Sequence, residues 1–361
     1  MSDGAVSCEA LEYIRIRQRR MYGVMALLFC LLCVGCYALF VGSLSIDLNA
    51  LLRSVLQGGL SLSETNAHIL LNIRLPRILS AILAGSGLAL AGAVMQNLLK
   101  NPLASPFTLG ISHGAAFGAA VAILFFSGGR VDSMNAFAIS YVSPYSVVFF
   151  AFGGALLAAV VVLMLASLRN MGPESMVLAG VAMGSLFSAA TMVLQYLANE
   201  LQVASMVFWT FGDVSRPNWN ELWILMAVMA VTSFFFKAMA WDMNALLLEE
   251  EEARSLGVNV TRLRWIGMSL ASFLAAVITA FMGVIGFVGL LGPHMARRVL
   301  GEDHVLLLPG SAFMGAVLLL AADTLTRGLF SPFVLPVGTI TSFLGAPLFL
   351  YLLIYRREPH A

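Results

Sequence analysis

The chain has 361 residues, 60% hydrophobic and only 11% charged, with a formal net charge of +1 and a mean hydropathy of +0.91. Soluble domains carry about 25% charged residues, so this composition excludes an ordinary soluble protein and defines an integral membrane one. The near-neutral balance argues against nucleic acid as a partner.

Residues 1–20 are polar and end in Arg15, Arg17, Arg19 and Arg20; an uncharged run from Met21 to Ile46 follows. That run exceeds the ~7–15 apolar residues of a secretory signal, so an uncleaved first helix with a cytoplasmic basic segment, 1–20, is expected. Cys30, Cys33 and Cys36 recur every third residue within it. With no fourth ligand and no following proline, they read as packed thiols. Residues 43–73 are amphipathic and read as an outer loop with short helices.

The next stretch organises the chain. Arg74 and Arg77 precede an uncharged run from Ile78 to Leu99; Lys100-Asn101-Pro102 breaks it, and a second lasts to Gly129. Each run is long enough to cross a ~30 Å hydrocarbon layer as a helix, so a membrane-spanning hairpin is expected. Ala81, Gly85, Ala89 and Ala93 fall every fourth position, as do Gly110, Gly114 and Gly118. Stripes of small residues let helix backbones approach closely, which places the hairpin inside a bundle.

Further uncharged runs cover 133–168, 175–199, 222–236, 265–296, 305–322 and 328–355, bringing the total to nine. Both chain ends are basic, through Arg15–Arg20 and Arg356-Arg357, and basic flanks stay inside, which requires an even number of crossings. The 265–296 run is too long for one crossing at ~1.5 Å per residue. Gly283, Gly286, Gly289, Gly292 and Pro293 invite a break in it. One full and one short helix give ten passes over residues 21–355, with a cytoplasmic tail at 356–361. This topology puts fourteen basic residues inside and six (Arg53, Arg74, Arg77, Arg130, Arg216 and Arg327) outside. Trp209, Trp219 and Trp223 cluster near one outer boundary, as interfacial aromatics do.

The largest inner insertion is Asp242–Arg264, with Glu249 to Glu252 at its centre. Leu248, Ala253 and Leu256 can share a helix face, Gly257 suits a helix end, and Asn259 can cap a second short helix through Arg262. Such an element either docks a soluble partner or is a solvated charged loop. Asp323 and Arg327, four apart, read as a structural ion pair rather than a proton relay. The chain holds two lysines, Lys100 and Lys237, neither after glycine. It therefore has no phosphate loop, and no other catalytic signature appears. The five histidines lack metal-ligand spacing, so no metal site is expected.

Several separated motifs carry a resemblance. They are R-L-P-R at 74–77, G-A-V-M-Q at 92–96, N-P-L-A-S-P at 101–106 and L-G-I-S-H-G-A at 109–115. A-R-S-L-G-V at 253–258, G-F-V-G-L-L-G-P-H at 286–294, A-D-T-L-T-R at 322–327, L-P-V-G at 335–338 and G-A-P-L-F-L at 345–350 follow. In this order they resemble the FecCD family, the permeases of binding-protein-dependent ABC importers for iron chelates, haem and cobalamin. The resemblance implies an all-α polytopic membrane protein of about ten helices with the type II ABC importer permease fold. It also implies two permease subunits, expected as a homodimer, with two ATPase subunits holding ATP and Mg, and an extracytoplasmic binding protein. No cofactor is expected on this chain, and the bacterial inner membrane is the expected location.

By the same resemblance, Arg74, Arg77 and Arg327 dock the binding protein. Glu250, Glu251, Ala253, Arg254, Leu256 and Gly257 couple to the ATPase, with Glu249 where the family often has glycine. Asn101 and Leu103 match an inner constriction. The pathway is expected between the fifth and tenth helices, with Met183, Phe187 and Gln195 as lining candidates. An iron chelate is the favoured cargo, with cobalamin as the alternative; an ion-coupled carrier or a membrane enzyme finds no support in these residues.

Overall fold

The computed structural model describes residues 3–41, 67–126, 144–168, 173–329 and 335–354, and every regular element among them is helical. In chain order these are α1 (Asp3–Phe40), α2 (Leu75–Leu98), α3 (Ile111–Phe126), α4 (Pro144–Leu168), α5 (Pro173–Leu197), α6 (Glu200–Thr210) and α7 (Trp219–Ala238). Then come α8 (Ala240–Ala245), α9 (Glu250–Ser255), α10 (Val260–Met282), α11 (Val288–Leu300), α12 (His304–Leu329) and α13 (Val337–Ile354). A π-helical turn, Ile69–Arg74, leads into α2. Among the described residues, seven helices are long and apolar enough to cross a bilayer, and Ile111–Phe126 and Val337–Tyr351 are shorter apolar ones.

The short helix expected within the 265–296 run is α11. The Arg264 Nε of α10 donates to the carbonyl of Leu98, at the end of α2. Asn244 of α8 bonds Asp303 and His304 at the start of α12, and the neighbouring Met243 carbonyl accepts from Asn97 of α2. Helices α10 and α12 thus start at one end of the bundle, and α11 is the return between them. The expected fold of about ten helices is the one observed.

At the centre stands α2, buried throughout from Ala84 to Leu98. It packs against α12, α10, α11 and α7, whereas α3 packs against α4 and α5. The two arms of the expected hairpin therefore share α10 but otherwise join different neighbours. Their small-residue stripes do bring backbones together: a methyl group on Gly85 would run into the carbonyl of Gly315, and one on Gly114 into that of Gly154. Such contact replaces the hydrophobic drive that lipid cannot supply.

Other expectations are corrected by local chemistry. Helix α1 continues through residue 20 without a break, and Cys30, Cys33 and Cys36 are exposed on it rather than packed. Gly283, at φ +80, ends α10 as expected, but Pro293 sits inside α11. Asn259 caps α10 itself, accepting from the Arg262 amide at 2.9 Å, so no separate short helix follows α9. Trp209 is buried, with the Arg216 guanidinium 5.9 Å over its ring, and is not an interfacial aromatic. Helix α6 was not expected; its capping box, Asn199 with Gln202, was the available signal. Of the outer loop expected at 43–73, residues 43–66 lie outside the described residues, as do Arg53, Arg130, Arg169 and the tail 356–361.

Three helix breaks meet at one place. The Asp213 amide, just past α6, donates to the Met282 carbonyl at the end of α10, and the Gly338 amide of α13 donates to Gly212. Gly212 adopts φ +62 and lies directly on the Val284 carbonyl, where a side chain has no room. Non-helical backbone beside a bilayer persists only where protein satisfies it, as here.

Candidate functional site

The charged side chains gather at two opposite ends. At the first, α1 ends, α2 begins and α12 ends. Arg77 holds Asp323 through Nε and Nη2, at 2.9 and 2.8 Å from the same carboxylate oxygen. Arg327, one helical turn after Asp323, lies 3.0 Å from its other oxygen. The i,i+4 pair read from sequence is present, and Arg77 joins it from another helix.

The guanidiniums also finish α1. The last carbonyls of a helix have no internal partner. Arg74 donates to Leu39 at 2.6 Å, and Arg327 donates to Ala38 and Val41 at 3.2 and 2.9 Å. Positive charge there also complements the helix dipole. Arg74 is 4% exposed, Arg327 7% and Asp323 0%. The residues expected to face a docking partner are thus brought together, but as a buried cluster that pins the peripheral α1 to the bundle.

The opposite end is built for exposure. Glu249, at φ −68 and ψ 154, starts α9 in an extended conformation open to any residue, so glutamate fits where the family often has glycine. Gly257, at φ +88, closes the helix, its amide bonding Arg254 while the Val258 amide bonds Ala253. This is a Schellman end that needs the left-handed residue. Of the apolar face expected on this segment only Ala253 is buried; Leu248 and Leu256 are 46% and 65% exposed. Glu251 and Arg254 also face outward. Glu250 is turned back, 2.5 Å from Arg264 and 3.9 Å from Arg254. The Arg264 hydrogen bond holds its carboxyl below the usual carboxylate range, against the opposing effect of burial.

Between α2 and α3, Asn101 accepts the Leu103 amide at 2.9 Å across Pro102, an Asx turn that leaves Leu103 42% exposed. On α5, Phe187 is buried with its ring 5.5 Å from that of Phe117 on α3. Met183 and Gln195 are half-buried. The open face of α5 is instead formed by Leu178, Val181, Leu186, Met192 and Tyr196.

A multi-pass helical bundle with a short charged helix protruding from one end is the architecture of a membrane transport subunit. The chain belongs to the FecCD transport family, whose model matches residues 29–355. It is 51% identical over 343 residues to a Methanocaldococcus jannaschii protein assigned as an ABC transporter permease, covering 94% of this chain and 97% of that one. It is 37% identical to the Fe(3+)-citrate import system permease of Bacillus subtilis, over 94% and 96% of the two chains. A solved inward-facing ABC transporter described as of metal-chelate type superposes with a TM-score of 0.78 at 31% identity, over 92% of this chain and 98% of that one.

Proposed function

We propose that this chain is the transmembrane permease subunit of an ATP-driven importer moving an iron chelate, ferric siderophore or haem, across the cytoplasmic membrane. The carrying observation is α9: an outward acidic helix whose base is fixed to the ends of α2 and α10, opposite the arginine cluster. A surface so held transmits force from a partner. The partners are two separate ATPase subunits, which hold the ATP and Mg, a second copy of the permease and an extracytoplasmic binding protein. The Bacillus subtilis relative's ferric citrate and the metal-chelate neighbour support the cargo class.

In this reading Glu250 to Gly257 meets the ATPase. Arg74, Arg77 and Arg327 supply the positive outer end that draws an acidic binding protein. Because these guanidiniums are already bonded, docking acts through their field and through rearrangement of the cluster. Asn101 and Leu103 form the inner constriction, and the open face of α5, flanked by Met183 and Gln195, faces the pathway. Vesicle uptake tests the reading. Import that requires ATP and the binding protein supports it; import on a proton gradient alone overturns it in favour of a secondary carrier.

A further inference from the structure

The end of α2 carries an unusual residue. Lys100 adopts φ +44, one of two non-glycine residues with positive φ among those described. Its amide bonds the Asn97 carbonyl at 3.0 Å and the Asn101 amide bonds Gln96 at 3.1 Å. This is a Schellman closure with lysine where glycine is the natural choice, since a Cβ strains the left-handed conformation. The backbone alone favours glycine here. The side chain accounts for the lysine: Nζ donates to the Leu248 carbonyl at 2.8 Å, immediately before the Glu249 that starts α9.

Two further bonds run from the same stretch to the same segment. Asn97 donates to the Met243 carbonyl at 3.2 Å inside the core. The Leu98 carbonyl accepts Arg264 at 3.1 Å, and Arg264 also holds Glu250. Residues 97–100 therefore grip the insertion before α9, at its edge and through its first turn. The next residue, Asn101, opens the turn that presents Leu103, and that turn is internally bonded through the Leu103 and Ala104 amides. Displacing Lys100 moves Leu103 with it.

We infer that the end of α2 is the linkage that carries motion of α9 to Leu103, with Lys100 as its positioning residue. This rests on the reading that α9 meets the ATPase. Lys100 is exposed, so a single surface bond adds little stability; its value is in fixing position.

The test uses the permease assembled with its ATPase, with Cys8, Cys30, Cys33 and Cys36 replaced by serine. Nitroxide labels are placed through Leu103→Cys and Ser255→Cys in one copy of the permease, paired with an unlabelled cysteine-free copy, and distances are measured with and without ATP and vanadate. In the parent the two labels move as one body, giving a single narrow distribution in both states. In Lys100→Gly the distribution broadens or splits with nucleotide, while the melting temperature is unchanged or higher because glycine relieves the left-handed strain. Lys100→Arg, which keeps a donor, restores the narrow distribution. A narrow distribution in Lys100→Gly, or a split one in the parent, overturns the linkage. Failure of the ATPase to co-purify with the parent, read before nucleotide is added, overturns the reading of α9 and the linkage with it.

Discussion

The two ends of the bundle treat charge in opposite ways. At the arginine end, Arg77, Asp323 and Arg327 are drawn inward, and each guanidinium is used by the fold. At the α9 end, Glu251, Glu252 and Arg254 stand in solvent and only Glu250 is tied back. A charge withdrawn from water must be paired or the structure fails, whereas an exposed one adds little to stability and is available to a partner. The contrast separates charges that the fold consumes from charges that it leaves in solvent.

Substitutions sharpen that contrast. Asp323→Ala removes the carboxylate that pairs the buried Arg327 and the partly buried Arg77, and is expected to cost roughly 3–5 kcal/mol. Thermal unfolding of the detergent-purified subunit checks it; a shift no larger than that of a surface variant would mean the cluster is not holding the fold. Arg77→Lys keeps the charge but loses the two-nitrogen grip, and about 1.5–3 kcal/mol is expected from the hydrogen bonding lost. The same unfolding assay reads it.

Arg254→Ala and Glu251→Ala belong to the other class. Each is expected to change stability by less than about 1 kcal/mol while weakening ATPase binding, with the defect most evident at low salt. Binding titrations at two ionic strengths decide this, and equal affinities at low salt count against α9 as the contact. The smallest effect is Glu250→Gln. Because Arg264 holds the folded-state pKa of Glu250 below the ordinary carboxylate value, the pair's full contribution is present above the unfolded carboxylate value and is lost as pH falls through the folded one. The stability difference between parent and variant should therefore shrink on acidification, and a difference that grows would reverse the assignment.

Much of this arrangement was legible in the residue order because its causes are local. The uncharged runs and the Gly283 break follow from short-range chemistry, as does the Asp323–Arg327 pair, four residues apart. The third member of that cluster, Arg77, lies 246 residues from Asp323 in sequence, and no local pattern reports such a pairing. Separations of 35 and 289 residues likewise hid the use of Arg74 and Arg327 to finish α1. Exposure misled as well: an arginine placed at an outer boundary by topology reads as surface, yet a neighbouring helix end can claim it. On α5, Phe187 read as lining, but its face is set by Phe117 of α3, which only the fold brings near.

Gly212, Val284 and Gly338 hold a further lesson for engineering. Since every interrupted helix at that junction lends a bond or bare space to another, the three interruptions form one inherited unit. Chimaeras that import a single one of these loops from a cousin should misassemble, while grafts that transfer all three together should be tolerated.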